Sequence, residues 1–126
     1  MLSEYNPYTL PTIEFVGGET QDLRYNLFKE TGKSPYSLSG CTSTFSMVSY
    51  TNKNGEPVIT KAMRILEDDK TGIDNVLSVV LTPQETVGLS GKYIYQITIE
   101  DGFGNTEIPK QGIIFIVNNI HKSLIK

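Results

Sequence analysis

The 126-residue chain predicts an all-β fold in which two sheets pack face to face through Greek-key connections. Three observations carry that expectation. About seven or eight segments rich in Val, Ile, Thr, Tyr and Phe recur at roughly ten-residue spacing, each bounded by Gly, Pro, Asn or Asp. No stretch holds a long helical apolar period, and the chain has no internal repeat. At 14.0 kDa, area scaling buries about two-thirds of the extended chain's surface, so a single domain can stand on its own core. Cys41 is the only cysteine. It cannot form an internal disulfide, and it reads as a buried thiol that fills space.

Residues 1–11 form an extended arm, since Pro7 and Pro11 fix their own φ and no periodicity is present. Two readings of the arm stay open: a loosely ordered terminus, or a strap whose Tyr5 and Tyr8 lie along a neighbouring subunit. Residues 12–118 carry the sandwich, and 119–126 are a basic tail. The first strand is Thr12 to Val16, and Gly17-Gly18 suits a tight bend between layers. The second, Gln21 to Lys29, sets Leu23, Tyr25 and Leu27 against Asp22, Arg24 and Asn26. Glu30 to Pro35 is turn chemistry, after which Leu38 drops into the core from irregular chain.

Cys41 to Tyr50 has strand composition, with Phe45 and Met47 expected inward. Asn52-Lys53-Asn54-Gly55 is expected to supply the positive φ of a hairpin, and Val58 to Leu66 to return as one strand. Its alternation is poor, because Lys61 shares a face with Ile59, Met63 and Ile65. That pattern fits an edge or sheet-switching strand. Glu67 to Gly72 reads as an exposed acidic turn, and Asn75 to Leu81 as a strand with Leu77, Val79 and Leu81 inward.

Thr82-Pro83-Gln84-Glu85 fits a capping box with Pro at the first helical position, so one short helical turn should carry the chain between the sheets. It leads to Gly91 and Tyr93. Tyr93, Tyr95, Ile97 and Ile99 alternate with Ile94, Gln96, Thr98 and Glu100, a half-buried strand. The Gly-x-Tyr at its start reads as a tyrosine corner, in which the Tyr93 hydroxyl returns to backbone just upstream. Asp101 to Asn105 is a hairpin turn with Gly102 and Gly104 able to take positive φ. The last strand, Gly112 to Asn118, is apolar on both faces. Such a strand is covered on both sides or lies against a partner, which makes Ile114 and Ile116 candidate contacts. Together these elements give an immunoglobulin-like Greek-key sandwich with one helical turn before strand F.

Chemistry is sparse. His121 is the only histidine and sits in the tail, so pairing with Cys41 as base and nucleophile is not expected, and the expectation is a chain without catalytic residues. Asp68, Asp69 and Asp74 are the oxygen-rich candidates for a weak cation, but their spacing lacks the closing glutamate of a calcium loop. Clustered Cys and His for zinc are absent, and Gly102-x-Gly104 is too short to cradle phosphate. No metal or cofactor is therefore expected. Tyr36, Tyr50 and Phe103 could form an aromatic platform for sugar. A net charge of −3 with scattered Lys and Arg gives no basic stripe, so nucleic acid is not an expected partner. No apolar stretch approaches a membrane span, and Met1 to Pro7 lacks the pattern of a signal peptide. The chain is expected to be made or assembled in the cytoplasm, unless a leader lies outside this sequence.

Leu77 to Glu85, followed by Gly91-Lys92-Tyr93, resembles the E strand, crossing turn and F strand of immunoglobulin domains. Both cysteines of their inter-sheet disulfide are missing: Tyr95 stands at the F-strand position, Tyr25 or Leu27 on strand B, and Phe45 in place of the strand C Trp. That departure speaks against an antibody-superfamily receptor. A more specific likeness runs through Gln21-Asp22-Leu23-Arg24, Leu38-Ser39-Gly40, the Phe45 strand, Gly91-Lys92-Tyr93 with Ile97, and Gly112-Ile113-Ile114-Phe115-Ile116. Over about residues 13 to 118 this resembles the N-terminal immunoglobulin-like domain of phage baseplate upper proteins and related prophage tail modules. The resemblance implies a non-catalytic domain that fastens a tail or fibre component to its neighbours by self-association or contact with other subunits, in a virion assembled in the bacterial cytoplasm. The other reading is a bacterial surface adhesion or carbohydrate-binding module.

Overall fold

Alternation in the sequence becomes two layers in space. The computed structural model describes residues 10–26, 37–70, 72–108 and 111–124. The larger sheet contains β1 (Ile13–Val16), β9 (Gln111–Val117), β7 (Gly91–Glu100), β3 (Thr42–Ser49) and β4 (Ile59–Ala62) in that order, with the two-residue β8 (Thr106–Glu107) also on β7. The smaller sheet is β2 (Gln21–Asn26), β6 (Asp74–Leu81) and β5 (Arg64–Glu67). All pairings are antiparallel except β1 with β9. With β2, β6 and β5 as strands B, E and D, and β3, β7 and β9 as C, F and G, this is the strand order of an immunoglobulin-like sandwich.

Between the sheets lies one cluster of buried side chains. Phe45 and Met47 of β3, Tyr95, Ile97 and Ile99 of β7, and Leu77, Val79 and Leu81 of β6 all face into it. Leu38 reaches it from the irregular segment before β3. Where a disulfide would bridge B to F, aromatic packing does so instead. The Tyr25 and Tyr95 rings are 6.2 Å apart, and Phe45 stacks on Tyr95 at 5.7 Å. The Tyr95 hydroxyl donates to the Pro11 carbonyl at 2.7 Å, and the Leu10 N–H donates to the Gln111 carbonyl at 3.0 Å, tying the end of the arm to β7 and β9. Gly112 leaves room for that ring: a Cβ there would lie 2.5 Å from Tyr95 Cε1 and 2.8 Å from Leu10 Cβ.

Four local expectations are corrected. Val58 to Leu66 does switch sheets at their edges, but as two strands rather than one: β4 belongs to the larger sheet and β5 to the smaller, with buried Met63 between them donating its N–H to Ser43 O at 2.9 Å. Lys61 on the switching segment spans the layers, donating to Val80 O at 2.6 Å and to Glu85 at 3.0 Å. The loop after β3 does not use positive φ at Gly55. A 3-10 turn over Tyr50–Asn52 and the Gly55 N–H to Asn52 O bond at 3.0 Å reverse the chain instead. In the turn after β7, Gly104 has positive φ (87°) and Gly102 does not. Finally, the acidic turn is not wholly exposed. Asp68 is 7 % exposed, accepting from the Lys70 N–H at 2.9 Å and from Asn26 Nδ2 at 2.9 Å.

The crossing between sheets is a short helix, α1 (Pro83–Thr86). The Glu85 carboxylate accepts the Thr82 N–H at 2.8 Å and its hydroxyl at 3.0 Å, the return half of a capping box. Burial by itself would raise the Glu85 pKa, but those bonds and the one from Lys61 outweigh it and hold the carboxyl below its ordinary value. Gly17 packs against this turn, where a Cβ would come within 2.6 Å of Thr86 O. Gly18 N–H donates to the buried Thr86 hydroxyl at 2.9 Å, and Asn119 Nδ2 to Gly17 O at 2.7 Å.

Candidate interaction face

Because side chains alternate along each strand, the face of the larger sheet turned away from the core is set by the residues between the core positions. Across β3, β7 and β9, Val48 pairs with Ile94 and Ile94 with Ile113. One step along in one direction, Ser46 pairs with Gln96 and Gln96 with Gln111. One step in the other direction, Lys92 pairs with Phe115 and Phe115 with exposed Glu14 of β1, and beyond that Val117 pairs with Val16 at the same edge. The face thus runs from polar to apolar. At its polar end Gln111 Nε2 donates to Gln96 Oε1 at 2.9 Å. Ile94 and Ile113 are covered, whereas Phe115, Val117 and Val16 are about 40 % exposed (40, 44 and 38 %).

Two features shape the face further. The loop after β3 overhangs it, enclosing a concavity of about 240 Å³ lined by Ser46, Val48, Lys53, Pro57, Ile94 and Gln111 among others. Above its apolar end two ammonium groups converge on one ring. Lys92 Nζ is 3.8 Å and Lys53 Nζ 4.2 Å from the centre of the Tyr50 ring, and Lys92 also lies 5.8 Å from the Phe115 ring. Among the described residues the ion pairs are Arg24 with Asp22 and Lys61 with Glu85, so neither Lys53 nor Lys92 meets a carboxylate.

The residues singled out from sequence fall elsewhere. Ile114 and Ile116 are in the core at 0 and 3 % exposure, so they cannot meet a partner. The phase of β9 puts them inward, while β1 pairs with its other edge. Phe115 and Val117 are the outward residues of that strand. Tyr5 and Tyr8 lie outside the described residues. At Gly91, φ is +104°, and the Tyr93 hydroxyl donates to Ser90 O at 3.1 Å. The proposed sugar platform is not assembled: Tyr36 lies outside the described residues, and Tyr50 and Phe103 follow opposite ends of the paired β3–β7 ladder. At strand rise they are separated by about 25 Å. Cys41 and His121 are likewise at opposite ends of the sandwich, Cys41 beside the Glu100 end of β7 and His121 beyond the Gly91 end.

Four further ionisable groups are shifted by local structure. Asp68 has a lowered pKa because it accepts bonds from Lys70 and Asn26, and Asp101 because it accepts from Asn105 and Phe103. Burial raises both Tyr25 and Tyr95. Among the described residues no three His, Cys, Asp or Glu gather as metal ligands, and no helix is long and apolar enough to cross a membrane.

Sequence pattern could have placed Lys92 outward, since it alternates with Tyr93. Its meeting with Tyr50 and Lys53 depends on strand register and on a 3-10 turn, neither of which the pattern fixes. Fold and face together define a β-sandwich with one partly apolar sheet surface, bordered by Lys92 on the β7 side and by Glu14 on the β1 side. No protein-family model matches the chain, and no curated protein matches it either.

Proposed function

We propose that the chain is a non-catalytic structural and protein-interaction module of a phage or prophage tail or baseplate, residing in the virion after assembly in the bacterial cytoplasm. The observation that carries the interaction reading is the outer face of the larger sheet. Phe115, Val117 and Val16 lie exposed and adjacent on paired strands, where a sheet face turned to water ordinarily carries polar side chains. The assignment to a tail or baseplate rests on the likeness of residues 13 to 118 to baseplate upper-protein domains.

The test is co-expression with the products of neighbouring genes, followed by size-exclusion chromatography with light scattering across concentration. Self-association, or co-elution with a neighbouring tail component, is expected. A monomer at every concentration that co-elutes with none of them would overturn the proposal. The second reading, a surface adhesion or carbohydrate-binding module, draws on the concavity lined by Ser46, Gln96 and Gln111. Glycan binding lost on Gln96→Ala and Gln111→Ala would favour it instead.

A further inference from the structure

We infer that the Tyr50–Lys53–Lys92–Phe115 corner of the larger sheet is the docking surface for an acidic segment of a protein partner, one that alternates carboxylates with aliphatic or aromatic side chains. The inference rests on the interaction-module reading and names the chemistry of its partner. Charge complementarity comes first. Two ammonium groups are held within 4.2 Å of the same ring centre with no carboxylate paired to either among the described residues, in a chain whose net charge is −3. Each cation lies against a neutral ring and meets no carboxylate among the described residues, so both keep a net positive charge to attract an incoming anion. Lys92 and Phe115 are paired across β7 and β9, which sets cation and exposed apolar ring side by side.

The surroundings select the class of anion. A nucleic acid backbone needs several cations spaced along a groove, and here there are two, both against a single ring. A glycan can stack a sugar face on Phe115 but offers no aliphatic side chains for Val117 and Val16, whereas a peptide segment supplies both carboxylates and hydrocarbon. The adjacent concavity of about 240 Å³, which Lys53 also lines, is large enough for one such side chain.

The experiment titrates the ¹⁵N-labelled chain with two synthetic twelve-residue peptides. One alternates Glu with Leu and Phe, and the other carries Lys in place of Glu. The acidic peptide is expected to shift the amides of Tyr50, Lys53, Lys92, Phe115 and Val117 in a saturable, salt-sensitive manner. K53E/K92E should weaken that binding about tenfold or more, and K53Q/K92Q by a smaller factor. R64E/K70E makes the same change in net charge at exposed positions away from this face and should leave binding within about twofold. Thermal melts establish that each variant folds. Shifts scattered over the surface, equal binding of the Lys peptide, or unchanged binding by K53E/K92E would overturn the inference. So would self-association that K53E/K92E abolishes, because the occupant would then be a second copy. A tail partner that binds K53E/K92E as well as the parent chain would remove this surface and leave the module reading standing. Absence of any partner for the parent chain would remove the module reading itself.

Discussion

The two faces of β7 are built from the same ten residues and do opposite things. Inward, Tyr93, Tyr95, Ile97 and Ile99 are packed to within a few per cent of full burial. Outward, Lys92, Ile94, Gln96 and Thr98 grade from a cation over an aromatic ring, through a covered isoleucine, to hydrogen-bonded amide and hydroxyl. Inward residues are bound to the rest of the fold by area and shape, so changing them should cost stability. Lys92, exposed at the end of the outward face, contributes little to that packing, so changing it should cost binding. The comparison is therefore a separation of two readouts along one strand.

Tyr95→Ala should test the inward side hardest. The side chain is fully buried, stacks on Phe45, approaches Tyr25 and anchors Pro11 through its hydroxyl. A loss of about 3–5 kcal/mol in urea unfolding is expected, enough to unfold a marginal domain. A loss below about 1 kcal/mol would mean that the sheets are not joined here, and the inward side of the comparison would fail.

Next come the hydroxyls, which separate ring from polar bond within the core. Tyr93 donates to Ser90 O, so Tyr93→Phe should cost about 1 kcal/mol and Tyr93→Ala several times more. The Tyr25 hydroxyl is buried beside that of Tyr95 without hydrogen-bond geometry, and no other described residue receives it. Tyr25→Phe should consequently be neutral or stabilise by about 1 kcal/mol. Equal losses for the two Phe variants would show that Tyr25 has a partner and that both hydroxyls hold the sheets.

Much of the inward face was legible because period-2 alternation states it directly. Phe45 and Met47, Leu77 to Leu81, and Tyr93 to Ile99 each have one apolar phase, and the capping box is a local pattern of residue types. β9 has no such phase. Ile113 to Val117 are apolar at every position, so neither face is marked, and the choice between Ile114 and Phe115 was made by pairing with β1 and β7. Lys61 carried a usable signal, since a charge on the inward phase is tolerated only where the chain leaves one sheet for the other. The outer site carried almost none. Lys53 reads as a turn residue and Tyr50 as the end of a strand until register and the 3-10 turn bring them to Lys92. Gly55 misled for a similar reason: glycine permits positive φ, but the 3-10 turn did not require it.

Glu85 lies at the seam between the layers and tests how much one bonded carboxylate adds to packing. Its folded pKa lies below the ordinary 4.5 despite the opposing effect of burial, because Thr82 and Lys61 bond the charged form. A depressed acid stabilises the fold above its unfolded value, and that contribution is lost as pH falls through the folded value. Stability should thus decline on acidification below about pH 4.5, with Asp68 and Asp101 acting in the same direction. Glu85→Gln should lower stability by about 1 kcal/mol at pH 7 and converge on the parent chain in acid. Parallel pH profiles for the two chains would assign the acid loss to other groups.

The smallest effect is expected on the outward side, and it makes the comparison sharp. Lys53 and Lys92 touch an aromatic ring but lie at the surface, where such a contact contributes about 0.5–1 kcal/mol at most. Tyr50 retains one cation when the other is removed, so Lys92→Gln alone should shift unfolding by no more than about 0.5 kcal/mol. Its backbone ladder with β9 is untouched by the substitution, and Tyr93 beside it keeps its place in the core. A loss as large as that of Tyr93→Phe would show that the cations hold the 3-10 turn to β7 for stability. The outward face would then be a second structural surface, and the reason for setting two lysines against one ring with no carboxylate beside them among the described residues would have to be sought in the fold rather than in a partner.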